Sequence, residues 1–252
     1  MRIRYLLPAL LVLSVLLLAA RAPGAESAPG KPGQIRVLVI TGGHGFETNL
    51  FLKIFADNPD ISYLAVQHPN AYAEFKADAA KQYDVIVTYD FNQKIPEAAR
   101  ANLVARLKQG KGLVALHHAI AAYPDWPEYW NIIGAHYYLA ATNINGVAKL
   151  RSAYKHDVDF QVRVADPEHP VTRGVKDFVI HDETYKWFDV AEDCHPLLTT
   201  EEPESNKVIA WAKEYQGARV VMMQSGHDHL AFNNPNYQRI LRQAIRWTAK
   251  RD

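Results

Sequence analysis

Four short stretches concentrate side chains that can move protons or hold a metal. In "GLVALHHA" an apolar run ends abruptly in His117 and His118. In "VVMMQSGHDH" a second apolar run ends in Gly226, His227, Asp228 and His229. "IHDETYKW" gathers His181, Asp182, Glu183 and Tyr185, and "TGGHGFE" sets His44 and Glu47 just after two glycines. Imidazole titrates near neutrality and is the commonest metal ligand. A carboxylate beside it is a general base or a further ligand. With 11 histidines in the chain, several elements can each deliver one.

Each stretch also has a plainer reading. His117 and His118 can be two satisfied polar residues at a strand end. On an extended chain they point to opposite faces, so one enters a given pocket while the other orients it or packs below. His227-x-His229 puts both rings on one side if the chain stays extended, which suits a metal or an acid–base pair. Otherwise the loop caps the final helix, with Asp228 as a structural acceptor. "IHDETYKW" is a candidate base or ligand segment, or a solvated turn. "TGGHGFE" lacks both the G-x-G-x-x-G spacing and a G-K-[ST] sequence, so it is neither a dinucleotide fingerprint nor a Walker loop. The aromatics Tyr123, Trp126, Tyr129, Trp130, Tyr137 and Tyr138 can wall a sugar pocket or fill core. In "DPEHP", His169 reads as structural.

These stretches need a scaffold. "IRVLVITGG", "ISYLAVQ", "YDVIVTYD" and "GLVAL" are apolar, β-branched strands. Between them lie "NLFLKIFADN", with Leu50, Phe51, Ile54 and Phe55 at helical spacing, then "YAEFKADAAKQ", then "PEAARANLVARLKQG". Alternating strands and helices, with strands apolar throughout, predict an α/β fold with a doubly wound, mostly parallel sheet. Ligands bind beyond the carboxyl ends of such strands. Those ends carry "TGGHGFE", "YDFN" and "HHA". The second half reads as a short helix from a capping box at Asp125 and Glu128 to Gly134, extra β segments, and a C-terminal helix whose core face carries Tyr237, Ile240, Leu241, Ile245 and Trp247.

Residues 1–25 have the layout of a signal peptide: Arg2 and Arg4, an apolar run, then small residues, with a cut between Ala22 and Ala25. An uncleaved anchor is the alternative. Residues 26–34 read as a linker and 35–252 as one domain. Of the 28 Lys and Arg, three (Arg2, Arg4 and Arg21) lie in this leader, so the remainder of the chain is slightly acidic. That excludes a nucleic-acid footprint. The single cysteine, Cys194, excludes an internal disulfide and is a weak candidate nucleophile. The expectation is a periplasmic or secreted protein, off the membrane after cleavage, with a homo-oligomer left open.

Taken together, "VLVITGGHGFE", "GKGLVALHHA", "W-x-x-IIGAHYY", "YKHDVDFQVRVADPEHPVTRGVKDFVIHDETY", "HPLLTT", "VIAWAKEYQGARVVMMQSGHD" and "AIRW" resemble the ThuA-like, or trehalose utilisation, family over nearly all of Ile35–Trp247. The resemblance implies a flavodoxin-like sheet related to class I glutamine amidotransferases. Those enzymes keep a nucleophilic cysteine on the elbow after the equivalent strand. Here His117-His118 stands there, so glutamine hydrolysis through a thioacyl intermediate at this elbow is not expected. The chain departs from the family after "IIGA", where "YYLAATNING" has no second histidine; His156 of "YKHD" is the candidate substitute.

The resemblance implies carbohydrate metabolism on 3-keto-glycosides. The expected function is an enzyme (a lyase, hydrolase or isomerase) acting on a small carbohydrate. The expected catalytic set is His117, Glu183, His227, His118 and Asp182, with Trp126, Tyr137, Tyr185 and Asp228 as substrate contacts. A divalent metal such as zinc is an optional addition, drawn from His44, His117, His227 and His229. Two competitors are a non-catalytic carbohydrate-binding module and an amide hydrolase using Cys194.

Overall fold

The computed structural model describes residues 26–28 and 30–252. The expected signal peptide lies outside them. The strands are β1 (Glu26–Ala28), β2 (Ile35–Gly42), β3 (Ile61–Gln67), β4 (Val85–Asp90), β5 (Gly112–Leu116), β6 (Ala135–His136), β7 (Thr142–Ile144), β8 (Val147–Lys149), β9 (Ala153–Val164), β10 (Phe178–Lys186), β11 (Asp189–Val190), β12 (His195–Thr199), β13 (Val208–Tyr215) and β14 (Ala218–Met223). The helices are α1 (Thr48–Ala56), α2 (Glu97–Lys108), α3 (Pro127–Ile133), α4 (His229–Phe232) and α5 (Pro235–Thr248). Among the described residues no helix is long and apolar enough to cross a membrane.

Ten strands form one sheet in the order β1-β3-β2-β4-β5-β14-β13-β12-β9-β10. The run β3-β2-β4-β5-β14 is parallel. The extra β segments of the second half extend the same sheet, antiparallel, through β13, β12, β9 and β10. β1, inside the segment read as a linker, pairs antiparallel with β3 at the other edge.

Alternation along the parallel strands sorts the core into two layers, because successive side chains leave opposite faces. Val37, Val39, Val85, Val87, Val114 and Val221 pack with Phe51 and Phe55 of α1 and Ile240, Leu241 and Ile245 of α5. Leu38, Ile40, Ile86, Leu113, Ala115 and Met222 pack with Leu103 and Leu107 of α2 and Ile132 and Ile133 of α3. Burial on both faces is why these strands read as continuous apolar runs.

Three local expectations fail. "YAEFKADAAKQ" is two 3-10 turns, Asn70–Phe75 and Ala79–Gln82, rather than one helix. Ala71 and Ala80 are both buried, yet on one continuous helix they would stand about half a turn apart. The extended backbone of Lys76 breaks the run and turns both inward. The capping box at Asp125 does not form: Trp126 is the N-cap of α3, with no side-chain cap, and Pro127 starts the helix. In α1 the buried residues are Phe51, Leu52 and Phe55, while Leu50 is exposed.

The sheet must also curl. β10 is five positions from β5 in the ladder, so a flat sheet would hold them about 24 Å apart. Side chains of β10 nevertheless touch His117, just past β5. The accumulated strand twist brings the antiparallel arm round over the carboxyl ends of the parallel strands.

β5 is pressed hard against α5. A Cβ added at Gly112 would lie 2.4 Å from the Thr248 carbonyl oxygen. Gly112→Ala should therefore destabilise the protein by about 1–3 kcal/mol through overpacking. Urea denaturation measures this, and unchanged stability would contradict the packing described.

Candidate functional site

β5 ends at Leu116 in extended backbone, and His117 then turns to φ +51° at the start of a 3-10 helix, His117–Ala121. A residue with a Cβ is strained there. It is the sharp strand-to-helix turn that presents a side chain at the top of a sheet. The His117 ring is held by its Nδ1–H, which donates to the Gln224 carbonyl (2.8 Å) just beyond β14. A carbonyl only accepts, so Nε2 is the atom that gains or loses the proton: protonated it donates to Glu183, neutral it carries the lone pair. Around Nε2 lie Tyr185 Oη (2.9 Å), Glu183 Oε2 (3.0 Å) and His227 Nδ1 (3.2 Å).

Glu183 is the centre of the cluster. Its side chain is only 6% exposed, with Oε2 3.5 Å from His227 Nδ1 and Oε1 3.2 Å from His156 Nδ1. Burial pushes its carboxyl up. Hydrogen bonds from His117 and His227 and the nearby His117 charge outweigh burial and hold it well below the usual range. His227 is raised in turn, chiefly by its hydrogen bond to Glu183. His156 reaches the carboxylate from a β-bulge. Asp182 pairs with Val158 and Thr184 with Lys155, so His156 and Asp157 together face Glu183. His156, the candidate substitute named from the sequence, thus lies against Glu183 but outside the group of three that could share one ion.

Asp182, expected to be catalytic, points the other way. Its carboxylate accepts the backbone N–H groups of Gly226 (2.7 Å), His227 (2.9 Å) and Glu183 (2.9 Å). It is buried, which raises its carboxyl. Tyr89 holds the same loop from below, donating to the Gly226 carbonyl (2.8 Å). Asp182 and Tyr89 are positioning residues that fix where His227 stands. Sequence reasoning missed Tyr89, although it lies in "YDFN", one of the polar strand ends.

His118 leaves the cluster, although not by alternation along an extended strand: the chain turns into a 3-10 helix at His117 and carries His118 away. Its ring packs on Tyr89 (4.3 Å) and His44 (4.8 Å). Burial, with His117 and His44 nearby, pushes its imidazole down to about 2. Tyr185 and Tyr137 line the site: their rings meet at 5.6 Å, and the Tyr185 hydroxyl is on His117.

Other expected residues are placed elsewhere. Trp126 lies in the core against Tyr123 and Tyr129. Asp228 caps α4, accepting from Leu230 N (2.8 Å). That cap turns the chain out of extension, so His229 swings away from His227 and pairs with Glu47 (3.1 Å). His44 bonds its own neighbour, the Gly45 carbonyl. Neither His44 nor His229 joins the metal-type group, which among the described residues is His117, Glu183 and His227. Cys194 donates to the Gly134 carbonyl and is pushed up to about 11, mainly by burial. Burial, with no histidine partner among the described residues, disfavours its thiolate and so its use as a nucleophile.

The three donor atoms stand 3.0–3.5 Å apart. That spacing suits ligands at about 2.0–2.2 Å from one zinc-sized ion. The His117 Nδ1–H on a backbone carbonyl is the support that a metal-bound histidine usually has. The residues fit a divalent ion.

The family profile described as ThuA, trehalose utilisation, matches residues 36–248. Among solved structures, a ThuA-like protein from Parabacteroides merdae has TM-score 0.73 at 19% identity, covering 86% of this chain and 90% of that one. A ThuA-like protein from Bacteroides uniformis has TM-score 0.67 at 19% identity, covering 88% and 94%. A glutamine amidotransferase from Thermotoga maritima has TM-score 0.51 at 11% identity, covering 86% and 99%. These likenesses show the fold. No curated protein matches the chain. The match over residues 36–248 shows that the chain belongs to the ThuA, trehalose utilisation, family.

Proposed function

We propose that this protein is an exported enzyme of carbohydrate metabolism that acts on a sugar or 3-keto-glycoside by His/carboxylate acid–base chemistry. The observation that carries this reading is the buried triangle of His117 Nε2, Glu183 Oε2 and His227 Nδ1. Binding a neutral sugar does not require a buried carboxylate among three imidazoles. Proton transfer does.

A ketone on a sugar ring acidifies the neighbouring C–H bond. His117 Nε2 takes that proton, and the C–H electron pair becomes a C=C bond. The C–O bond to the leaving group breaks, and its oxygen takes a proton from His227, the more exposed of the two rings. Glu183 stays ionised and steadies the His227 imidazolium before its proton leaves and the His117 imidazolium as it forms. Acid–base help of this kind contributes about 10²–10⁴-fold. His117, Glu183 and His227 would also hold a divalent ion, which when bound supplies polarisation of the ketone oxygen. With those three as ligands, His156 Nδ1, half exposed beside the far carboxylate oxygen, would be the group left to take the proton from carbon.

Two experiments test this. Purified protein should turn over a methyl 3-keto-glucoside. His117→Ala, Glu183→Gln and His227→Ala should each lower kcat by about 10² or more. Wild-type kcat in all three would remove the site. Metal analysis of protein purified without chelator assigns the proton carrier. With a stoichiometric ion, His156→Ala should also abolish turnover; without one, it should act mildly.

The charge coupling is tested in metal-free protein. Glu183 lies below its ordinary value, so its contribution to stability is present above the ordinary carboxylate range and lost as pH falls through its folded pKa. His227 lies above its ordinary value, so its contribution is lost as pH rises through its folded pKa. Glu183→Gln should lower the His227 titration midpoint by NMR and flatten this pH dependence. An unmoved midpoint would contradict the coupling.

A further inference from the structure

We infer that Tyr154 is the residue that reads the leaving group: its exposed ring lies on the solvent side of His227 and His156, and it stacks on a leaving group that presents a flat apolar ring face, the face of a phenol or of a second pyranose. The inference rests on the acid–base reading above and adds a leaving-group subsite to it.

Strand pairing puts Tyr154 on the face that carries the site. It stands directly opposite Tyr185 in the β9–β10 ladder. Residues opposed across an antiparallel pair share a face, and Tyr185 sets its hydroxyl 2.9 Å from His117 Nε2. His156, two residues on from Tyr154, leaves the same face and stands 3.2 Å from Glu183. From the reacting centre outward the rings form a row. The centroids of His117 and His227 are 5.2 Å apart, those of His227 and His156 4.8 Å, and those of His156 and Tyr154 5.2 Å. Side-chain exposure rises along the row, from 1% at His117 through 27% at His227 to 50% at His156. Tyr154, at its end, is 56% exposed.

The chemistry gives this row a direction. His117 takes the proton from carbon, so the ketone-bearing ring sits at the buried end. The leaving-group oxygen takes its proton from His227, so whatever that oxygen carries extends past His227 toward His156 and Tyr154. A methyl group stops short of Tyr154, whereas a six-membered ring extends toward it. Tyr137 stands in the same neighbourhood. Burial first, and then Glu183, pushes its hydroxyl up to about 12, with Arg151 opposing and Tyr154 adding a smaller push. Tyr154 is therefore close to the buried wall of the site rather than on a remote face. A ring laid against it takes apolar surface of both partners out of water, and an aromatic face adds a preference for flat partners.

Kinetics with a methyl 3-keto-glucoside, a phenyl 3-keto-glucoside and a 3-keto-disaccharide of glucose vary the leaving group while the reacting ring stays the same. Tyr154→Thr keeps a strand-forming residue at this exposed position. Its loss of kcat/KM on at least one ring-bearing leaving group should exceed its loss on the methyl glycoside by about tenfold or more. Tyr154→Phe, which keeps the ring, should remove that difference. A selective loss on the phenyl glycoside identifies an aryl leaving group, and a selective loss on the disaccharide identifies a pyranose. Equal losses on all three substrates, or none, would overturn the inference and leave the acid–base reading in place. If wild type turns over none of them, the acid–base reading falls, and calorimetry with methyl β-D-glucoside, phenyl β-D-glucoside and cellobiose, which carry no ketone, decides the subsite. Tighter binding of a ring-bearing ligand that is lost in Tyr154→Thr supports it. Equal binding of the three, or a preference that survives Tyr154→Thr, overturns it.

Discussion

A buried carboxylate in want of partners is the constraint on which this site depends. Glu183 is nearly sequestered from water, and an isolated anion there would be strongly unfavourable. It is tolerated because His117 and His227 hydrogen-bond it and His156 Nδ1 stands 3.2 Å from its other oxygen. Those histidines come from the end of β5, the loop after β14 and a bulge in β9. The electrostatic need of one side chain therefore joins three distant pieces of chain. It also requires the sheet to curl far enough that its antiparallel arm reaches the carboxyl ends of its parallel half.

The elbow after β5 shows what that arrangement does with a place built to present a side chain. His117 accepts the strain of φ +51°, and the Gln224 carbonyl fixes its tautomer. A reactive thiol at such a turn needs a base. An imidazole is itself the base, or the ligand. The support is arranged accordingly: Asp182 and Tyr89 hold the backbone of the His227 loop rather than any reacting atom. Convergence at the site rests on backbone clamps as much as on the imidazoles.

Much of this was legible in the sequence. Continuous apolar strands revealed the parallel half, because burial on both faces erases alternation. His117, Glu183 and His227 stood out by residue type at strand ends. What stayed hidden has physical reasons. The bulge that turns His156 inward depends on the pairing of β9 with β10, which no local pattern encodes. Asp228 reads both as part of a site and as a structural acceptor; it is an N-cap, of the short helix α4 and not of the final one, and capping is what sends His229 to Glu47. Trp126 looked like a sugar platform but is core, and the two uses share one residue type. Tyr89 gave only the weak signal of its place in "YDFN", since a strand tyrosine is ordinary until its hydroxyl is seen on the Gly226 carbonyl. Strand β12 was obscured by Pro196, tolerated where the ladder is irregular.

The central claim is that the Glu183 cluster removes a proton from carbon beside a sugar ketone. Proton NMR of a methyl 3-keto-glucoside in D₂O tracks that step without requiring the glycosidic bond to break. Wild-type protein should wash out the signal of the proton next to the ketone far faster than buffer alone, and Glu183→Gln should not. A signal that persists with wild type, or exchanges equally fast with Glu183→Gln, would contradict the account.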